Sequence, residues 1–242
     1  MEHKYGITLS MCDPVVVEMA ARAGFGFVRI DWEHMIFDSC TVIGMVRLAR
    51  LVGIPVHVRV PNLANVSALL DLGIMGIMVP HVDSRDAALK AVRAVKYAPL
   101  GERGMNGAAR VLDFGRTAFK DYMRSANDEV RLIVQIEDQK GIRNVDEILC
   151  TPGVDMVATG KMDLSQALGV PGETTNPKVI ETEERIIQKA VAYGKTPIIK
   201  ADTPERVKIL SDMGVRWFHV GRDESLLSAA MKKRMMDIRG DL

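Results

Sequence analysis

The sequence predicts a parallel (β/α)8 barrel on three observations. Eight short β-branched or aliphatic runs alternate with longer helix-like segments. The 242 residues lie close to the roughly 250 typical of that fold. No low-complexity linker or compositional break divides the chain, so one domain spanning residues 1–242 is expected rather than an open doubly wound sheet.

The elements follow in order. The first run, Tyr5 to Leu9, precedes Asp13-Pro14, a cap-then-proline helix start, and that helix stops near Gly24. Phe25 to Ile30 is the second run, followed by a helix from Ser39 to Leu51 ending at Gly53. Pro55 to Val60 and Ile74 to Val79 are the third and fourth, with helices from Asn62 to Leu72 and, capped by Asp83 or Ser84, from Ser84 to Lys96. From Tyr97 to Asp128 the alternation is interrupted by the glycine-containing stretch Gly101 to Arg110 and a short helix, Thr117 to Ser125; long connections of this kind tend to be functional. Val130 to Ile136 and Val154 to Thr159 are the fifth and sixth runs, joined by a helix over Asn144 to Leu149. The sixth opens into Gly160 to Ser165, and a long helix covers Lys178 to Tyr193. Thr196 to Ile199, a helix started by Thr203-Pro204, Arg216 to Val220, and a last helix over Leu226 to Met236 complete the count.

Composition bounds the function. Basic and acidic residues balance at 32 and 31, which argues against a nucleic-acid or membrane surface. No apolar segment is long enough to span a bilayer, and no signal peptide is read at the N-terminus. The three cysteines, Cys12, Cys40 and Cys150, are odd in number and far apart, as expected of a reducing cytoplasm without a cysteine metal site.

In a barrel of this kind the chemistry sits at the C-terminal strand ends. They read Asp31, Glu33 and His34; Arg59; Pro80 and His81; Gln135 and Glu137; Gly160 to Asp163; and Lys200. Polar groups on buried parallel strands are costly unless they are used or paired. Glu137 and Asp163, from adjacent strands, suit a hard divalent cation such as Mg2+, Mn2+ or Co2+. Arg59 offers fixed positive charge to a carboxylate or enolate oxygen, and His34 is the candidate proton carrier. A duller account stands beside each: an acid at a strand end is often a cap or an ion-pair partner, Arg59 pairs with Asp31, and His57 and His219 are structural.

The residues also resemble the class II, metal-dependent pyruvate aldolases, the family of hydroxy-heptenedioate aldolase and 2-dehydro-3-deoxyglucarate aldolase. The matching stretches are Ala23 to His34 (AGFGFVRIDWEH), Val58 to Pro61, Leu69 to Gly73, Met78 to Pro80, Gly101 to Gly104, Gln135 to Glu137 and Asp163 to Ser165, in order over nearly the whole chain. The resemblance implies aldol cleavage of 4-hydroxy-2-oxo acids to pyruvate and an aldehyde, and a hexamer of three dimers that exchange their last helix. By the same resemblance Glu137 and Asp163 are the metal ligands, while Arg59, Gly160, Met162 and Asp163 hold pyruvate. His34 is the base, acting through water, with Asp71 of a neighbouring subunit as its partner and Asp31 in support.

Three stretches depart from the family pattern: Met35-Ile36-Phe37 after the histidine, Gly160-Lys161-Met162 before the ligand aspartate, and Ile198 with Lys200 on the seventh strand. The first is expected to shape the aldehyde side of the pocket. Lys161, Lys200 and Arg110 are candidates to meet an anionic substrate tail. Three other readings remain open: a Schiff-base aldolase using Lys161, a citryl- or malyl-thioester lyase, and a barrel that binds without catalysing.

Overall fold

The computed structural model describes residues 2–107 and 110–240, with the side chains of Arg110 and Phe114 outside the described set. Eight parallel strands close into a barrel in sequence order: β1 (Lys4–Leu9), β2 (Phe27–Asp31), β3 (Val56–Arg59), β4 (Gly76–Val79), β5 (Arg131–Ile136), β6 (Met156–Thr159), β7 (Thr196–Lys200) and β8 (Trp217–Arg222). The helices between them are α1 (Val15–Arg22), α2 (Ser39–Val52), α3 (Val66–Asp71), α4 (Arg85–Val95), α5 (Phe119–Glu129), α6 (Gln139–Arg143), α7 (Val145–Leu149), α8 (Lys161–Ala167), α9 (Pro177–Ala192) and α10 (Pro204–Asp212), with α11 (Asp223–Arg239) last.

All eight expected strands are present. The caps act as their residue types suggest: the side chains of Asp38, Ser84 and Thr203 accept from Thr41, Ala87 and Arg206 amides at the starts of α2, α4 and α10. Three local details go beyond the sequence reading. The segment after β6, for which no helix was expected, is helical at once, as α8. The helix expected over Asn144 to Leu149 is present as α7, and a further short helix, α6, precedes it and meets it at Asn144. β8 runs through Gly221 to Arg222 rather than stopping at Val220.

Alternation along β2 shows how the barrel sorts side chains. Val28 and Ile30 face outward into the large core beneath the helices, with Val17, Met45 and Val46. Phe27 faces inward and packs with Met78, Ile133, Met156 and Ile198. His57 and Trp217 lie against the Phe27 ring, at centroid distances of 5.0 and 5.2 Å, and fill the lower interior. Gly6 makes room for this plug, because a Cβ there would fall 2.2 Å from the Phe27 ring. Burial pushes His57 down to about 3, so it is a neutral filler, in line with its structural reading.

The seam between the last strand and the first is fastened by Asp223. Its carboxylate accepts from the Ser10 amide at 3.0 Å, the Ser10 hydroxyl at 2.6 Å and the Met11 amide at 3.0 Å. The adjoining helix α11 is different in kind: from Glu224 onward every described residue is exposed, including Leu226, Met231, Met236 and Ile238. Among the described residues, no helix is long and apolar enough to cross a membrane.

Candidate active site

A cavity of about 380 Å3 opens at the C-terminal ends of the strands. His34, Arg59, Gly160, Met162 and Asp163, all singled out from the sequence, line it. One wall is a charged array built on β2 and β3. Arg59 donates from Nε to Asp31 Oδ1 at 2.9 Å and from Nη2 to Asp31 Oδ2 at 2.7 Å, a bidentate fork, while its Nη1 lies 3.0 Å from Glu33 Oε2. Asp31 is fully buried, and it also accepts from Arg222 at 2.9 Å. Although burial opposes ionisation of Asp31, the Arg59 hydrogen bonds and the surrounding guanidiniums hold its carboxyl below the usual range. The pairing of Arg59 with Asp31 is therefore real, and it also orients Arg59 toward the cavity.

The opposite wall comes from β5 and β6. Glu137 is 2 % exposed; its Oε1 accepts from the His81 amide at 3.1 Å, and Gln135 Nε2 donates to Oε2. Burial pushes Glu137 up to about 7, and the nearby charges of Asp163 and Glu33 push the same way, partly opposed by His81. Gly160 permits this arrangement, since a Cβ at that position would lie 2.1 Å from Glu137 Oε2. Glu137 and Asp163 are two carboxylates whose charges act on one another, the donor type that could hold a hard divalent cation. The imidazole of His81 bridges the two walls, 3.3 Å from Glu33 and 3.3 Å from Glu137, on a backbone held at φ 52°.

His34 is half-exposed at the mouth, its Nε2 3.7 Å from Glu33. Asp71 is not brought to it within the chain. It ends α3, where its carboxylate accepts from Arg103 Nη2 at 2.9 Å and from Asn106 at 3.1 Å. Arg103 in turn lies 4.4 Å over the Tyr97 ring, so the Gly101-to-Gly104 segment fixes that aspartate in place. Phe37 and Met35 pack into the core beneath the helices, Ile36 is 99 % exposed, and none of the three lines the cavity.

Lys161 lies 3.1 Å from the buried carboxylate of Glu183, which Arg206 and Thr159 also contact. That ion pair engages the amine a Schiff-base mechanism would use as its nucleophile. Lys200 pairs with Asp202 at 2.9 Å on the exposed rim.

The chain matches the HpcH/HpaI aldolase/citrate lyase family over residues 4–221. It belongs to that family. It is 34% identical over 231 residues to 5-keto-4-deoxy-D-glucarate aldolase of Escherichia coli, covering 94% of this chain and 89% of that one. It is 36% identical over 236 residues to hydroxypyruvate/pyruvate aldolase of Pseudomonas aeruginosa, covering 96% and 87%. The solved structure of an HpcH/HpaI aldolase from Desulfitobacterium hafniense superposes with a TM-score of 0.93 at 31% identity, over 99% of this chain and 93% of that one. An HpcH/HpaI aldolase is a carbon–carbon lyase, and that is the class of this chain.

Two cavity-lining arginines, Arg29 and Arg222, were not among the residues singled out from the sequence. Arg222 was missed because Gly221 reads as a strand stop. The signal for Arg29 was available: a cation inside an apolar run, two residues before Asp31, shares the inward face of the strand.

Proposed function

We propose that the chain cleaves 4-hydroxy-2-oxo acids to pyruvate and an aldehyde, and runs the reverse addition, with a divalent cation held by Glu137 and Asp163. The observation that carries this reading is the buried Glu137 carboxyl, raised in part by the charge of Asp163 and packed behind Gly160, at a cavity that Gly160, Asp163, Arg59 and His34 line. The names of the two aldolase relatives support the same chemistry.

When bound, Mg2+, Mn2+ or Co2+ supplies counter-charge for the oxyanion that develops at C2. Arg59, locked by Asp31 and Glu33, places a second, pre-oriented positive charge at that oxygen. The amides of Met162 and Asp163, in the first turn of α8 with Gly160 leading into it, have no acceptor within the helix and are suited to the pyruvate carboxylate. In the cleavage direction His34, through water, takes the proton of the 4-hydroxyl. The C3–C4 bond then breaks to release the aldehyde, and the enolate left behind is protonated at C3 to give pyruvate. Asp71 of a neighbouring subunit would orient His34, tying activity to assembly. The exposed apolar residues of α11 support the hexamer of helix-exchanged dimers, and the three exposed free cysteines support a cytoplasmic setting.

The test is deuterium exchange into the methyl group of pyruvate with Mg2+ or Mn2+. Exchange should vanish on chelation and in His34→Ala. Cleavage that survives exhaustive chelation, with borohydride trapping pyruvate on the protein, would overturn the metal reading. A His34→Ala variant with full exchange would place the base elsewhere.

A further inference from the structure

The two carboxylates suited to a cation come from different elements, so their spacing depends on whatever fixes the junction between β6 and α8. Glu137, just past β5, packs behind Gly160, and Asp163 stands three residues further on, in the first turn of α8. That junction has no cap of its own: Gly160 is the N-cap of α8, with no side chain to bond the helix amides. Nor can it be given one. A Cβ there would lie 2.1 Å from Glu137 Oε2 and 2.7 Å from Gln135 Nε2, so Ser, Thr, Asp or Asn, the ordinary capping residues, would collide with the proposed ligand. The turn must be held from outside.

Glu183, on α9, holds it. Its side chain is fully buried, and one carboxylate reaches both neighbours of Gly160. Oε1 accepts from the hydroxyl of Thr159, the last residue of β6, at 2.9 Å. Oε2 lies 3.1 Å from Nζ of Lys161, the first residue of α8. Arg206, on α10, donates from Nη2 to Glu183 Oε2 at 2.7 Å and from Nη1 to Glu184 at 2.8 Å. Lys161 and Arg206 thus face Glu183 and Glu184, two cations to two carboxylates, which is the condition for keeping a charge buried. Ser165 secures the other side of the turn, donating from Oγ to the Met162 carbonyl at 2.6 Å and accepting from the Gly172 amide at 2.9 Å.

We propose that Glu183 is a positioning residue for the active site: by gripping Thr159 and Lys161 it fixes the strand-to-helix turn at Gly160, and with it the placement of Asp163 against Glu137. The proposal rests on the metal-aldolase reading and extends it to α9, behind the cavity wall that Thr159 and Lys161 line. It also gives Lys161 a task that needs no contact with substrate. A lysine that met only an anionic substrate tail would be free to turn toward solvent, whereas this one is 20 % exposed and anchored.

Lys161→Met decides the matter, because two explanations differ in sign. The substitution leaves Glu183 with Arg206 and Thr159, so no buried charge loses its last partner. If Lys161 were only a positive charge beside the metal, its removal would tighten Mn2+ binding. A loosened junction weakens that binding by about tenfold, the scale on which supporting partners act on a metal site. Calorimetry of the substrate-free protein with Mn2+ reads the difference. Lys161→Arg should restore most of the affinity, and Thr159→Val and Glu183→Gln should weaken it. Should Glu183→Gln not fold, Thr159→Val and Lys161→Met still carry the test. Lys189→Met, which removes a different ion pair of α9, with Asp146 at 2.6 Å, should leave Mn2+ affinity unchanged.

A second measurement needs no metal. The Leu164 amide donates to the Gly160 carbonyl at 2.8 Å across the junction, so its hydrogen exchange should quicken in Lys161→Met and Thr159→Val but not in Lys189→Met. Mn2+ binding that is unchanged or tighter in Lys161→Met would overturn the positioning role, even with faster exchange at Leu164, by leaving Glu183 a purely structural clamp. An unaltered Leu164 rate would overturn the clamp itself, whatever the metal does. Wild type that binds no Mn2+ would overturn the metal reading and the positioning role together, and the Leu164 rates would still show whether Glu183 grips the turn.

Discussion

Glu137→Gln separates the metal-free protein from the metal-loaded one through stability alone. The Glu137 carboxyl is pushed from 4.5 to about 7, chiefly by burial. Between those values the folded protein holds a proton that the unfolded chain has released. The contribution to stability is therefore complete below about pH 4.5 and is lost as pH rises through about 7. At about 1.4 kcal/mol per pH unit, the loss is on the order of 3 kcal/mol by pH 8. A glutamine is never charged, so it escapes that loss, though its amide matches the donors at His81 and Gln135 less well, at a cost of about 1 kcal/mol. In EDTA the stability difference, variant minus wild type, should thus grow by about 3 kcal/mol between pH 4.5 and pH 8 and favour the variant by about 2 kcal/mol at pH 8. Saturating Mn2+ at pH 8 should reverse the order, because wild type then gains binding free energy that the variant largely lacks. Urea denaturation at the two pH values, with EDTA or Mn2+, reads all four states. A difference that stays constant with pH in EDTA, or Mn2+ that stabilises both proteins equally, would refute the account of Glu137 as a buried carboxyl awaiting a cation.

Three further outcomes follow from the same geometry. Gly160→Ala inserts a methyl 2.1 Å from Glu137 Oε2 and should lower Mn2+ affinity at least about tenfold by calorimetry while leaving the far-ultraviolet circular dichroism intact. Arg59→Met strips Asp31 and Glu33 of their main cation; with Arg222 and His81 still in place, the expected cost is about 3 kcal/mol in urea denaturation at pH 7, along with loss of pyruvate exchange. If α11 is covered by a second subunit, light scattering should give wild type a mass several times that of the chain, and the double substitution Met231→Lys with Met236→Lys should lower it; an unchanged mass would count against that role for the helix.

Much of the fold is legible in the sequence. The strand count held because Val, Ile and Leu cluster in short runs closed by Gly, Pro or a capping acid, and parallel barrel strands must be apolar on both faces for most of their length. His34, Arg59, Gly160 and Asp163 line one cavity because each follows or ends such a run. Arg29 was hidden by its setting: within Phe-Val-Arg-Ile-Asp the eye takes the aliphatic neighbours, although parity along the strand puts Arg29 and Asp31 on one face. Gly160, at the start of α8, serves close approach to Glu137, a tertiary contact that no local pattern encodes. The double hold of Arg103 and Asn106 on Asp71 joins residues more than thirty positions apart, and no local pattern encodes it.

The Asp223 fastening has a kinetic side. It joins residues 213 positions apart, and bringing such distant parts of a flexible chain together costs on the order of 5 kcal/mol in loop entropy before any contact repays it. The cavity straddles this seam, with Thr8 from the first strand and Arg222 from the last. A chain emerging from the ribosome can therefore assemble most of its strands and still have no substrate pocket. The pocket closes only when β8 has paired with both β7 and β1, so a stalled or truncated product has an open barrel and an incomplete pocket.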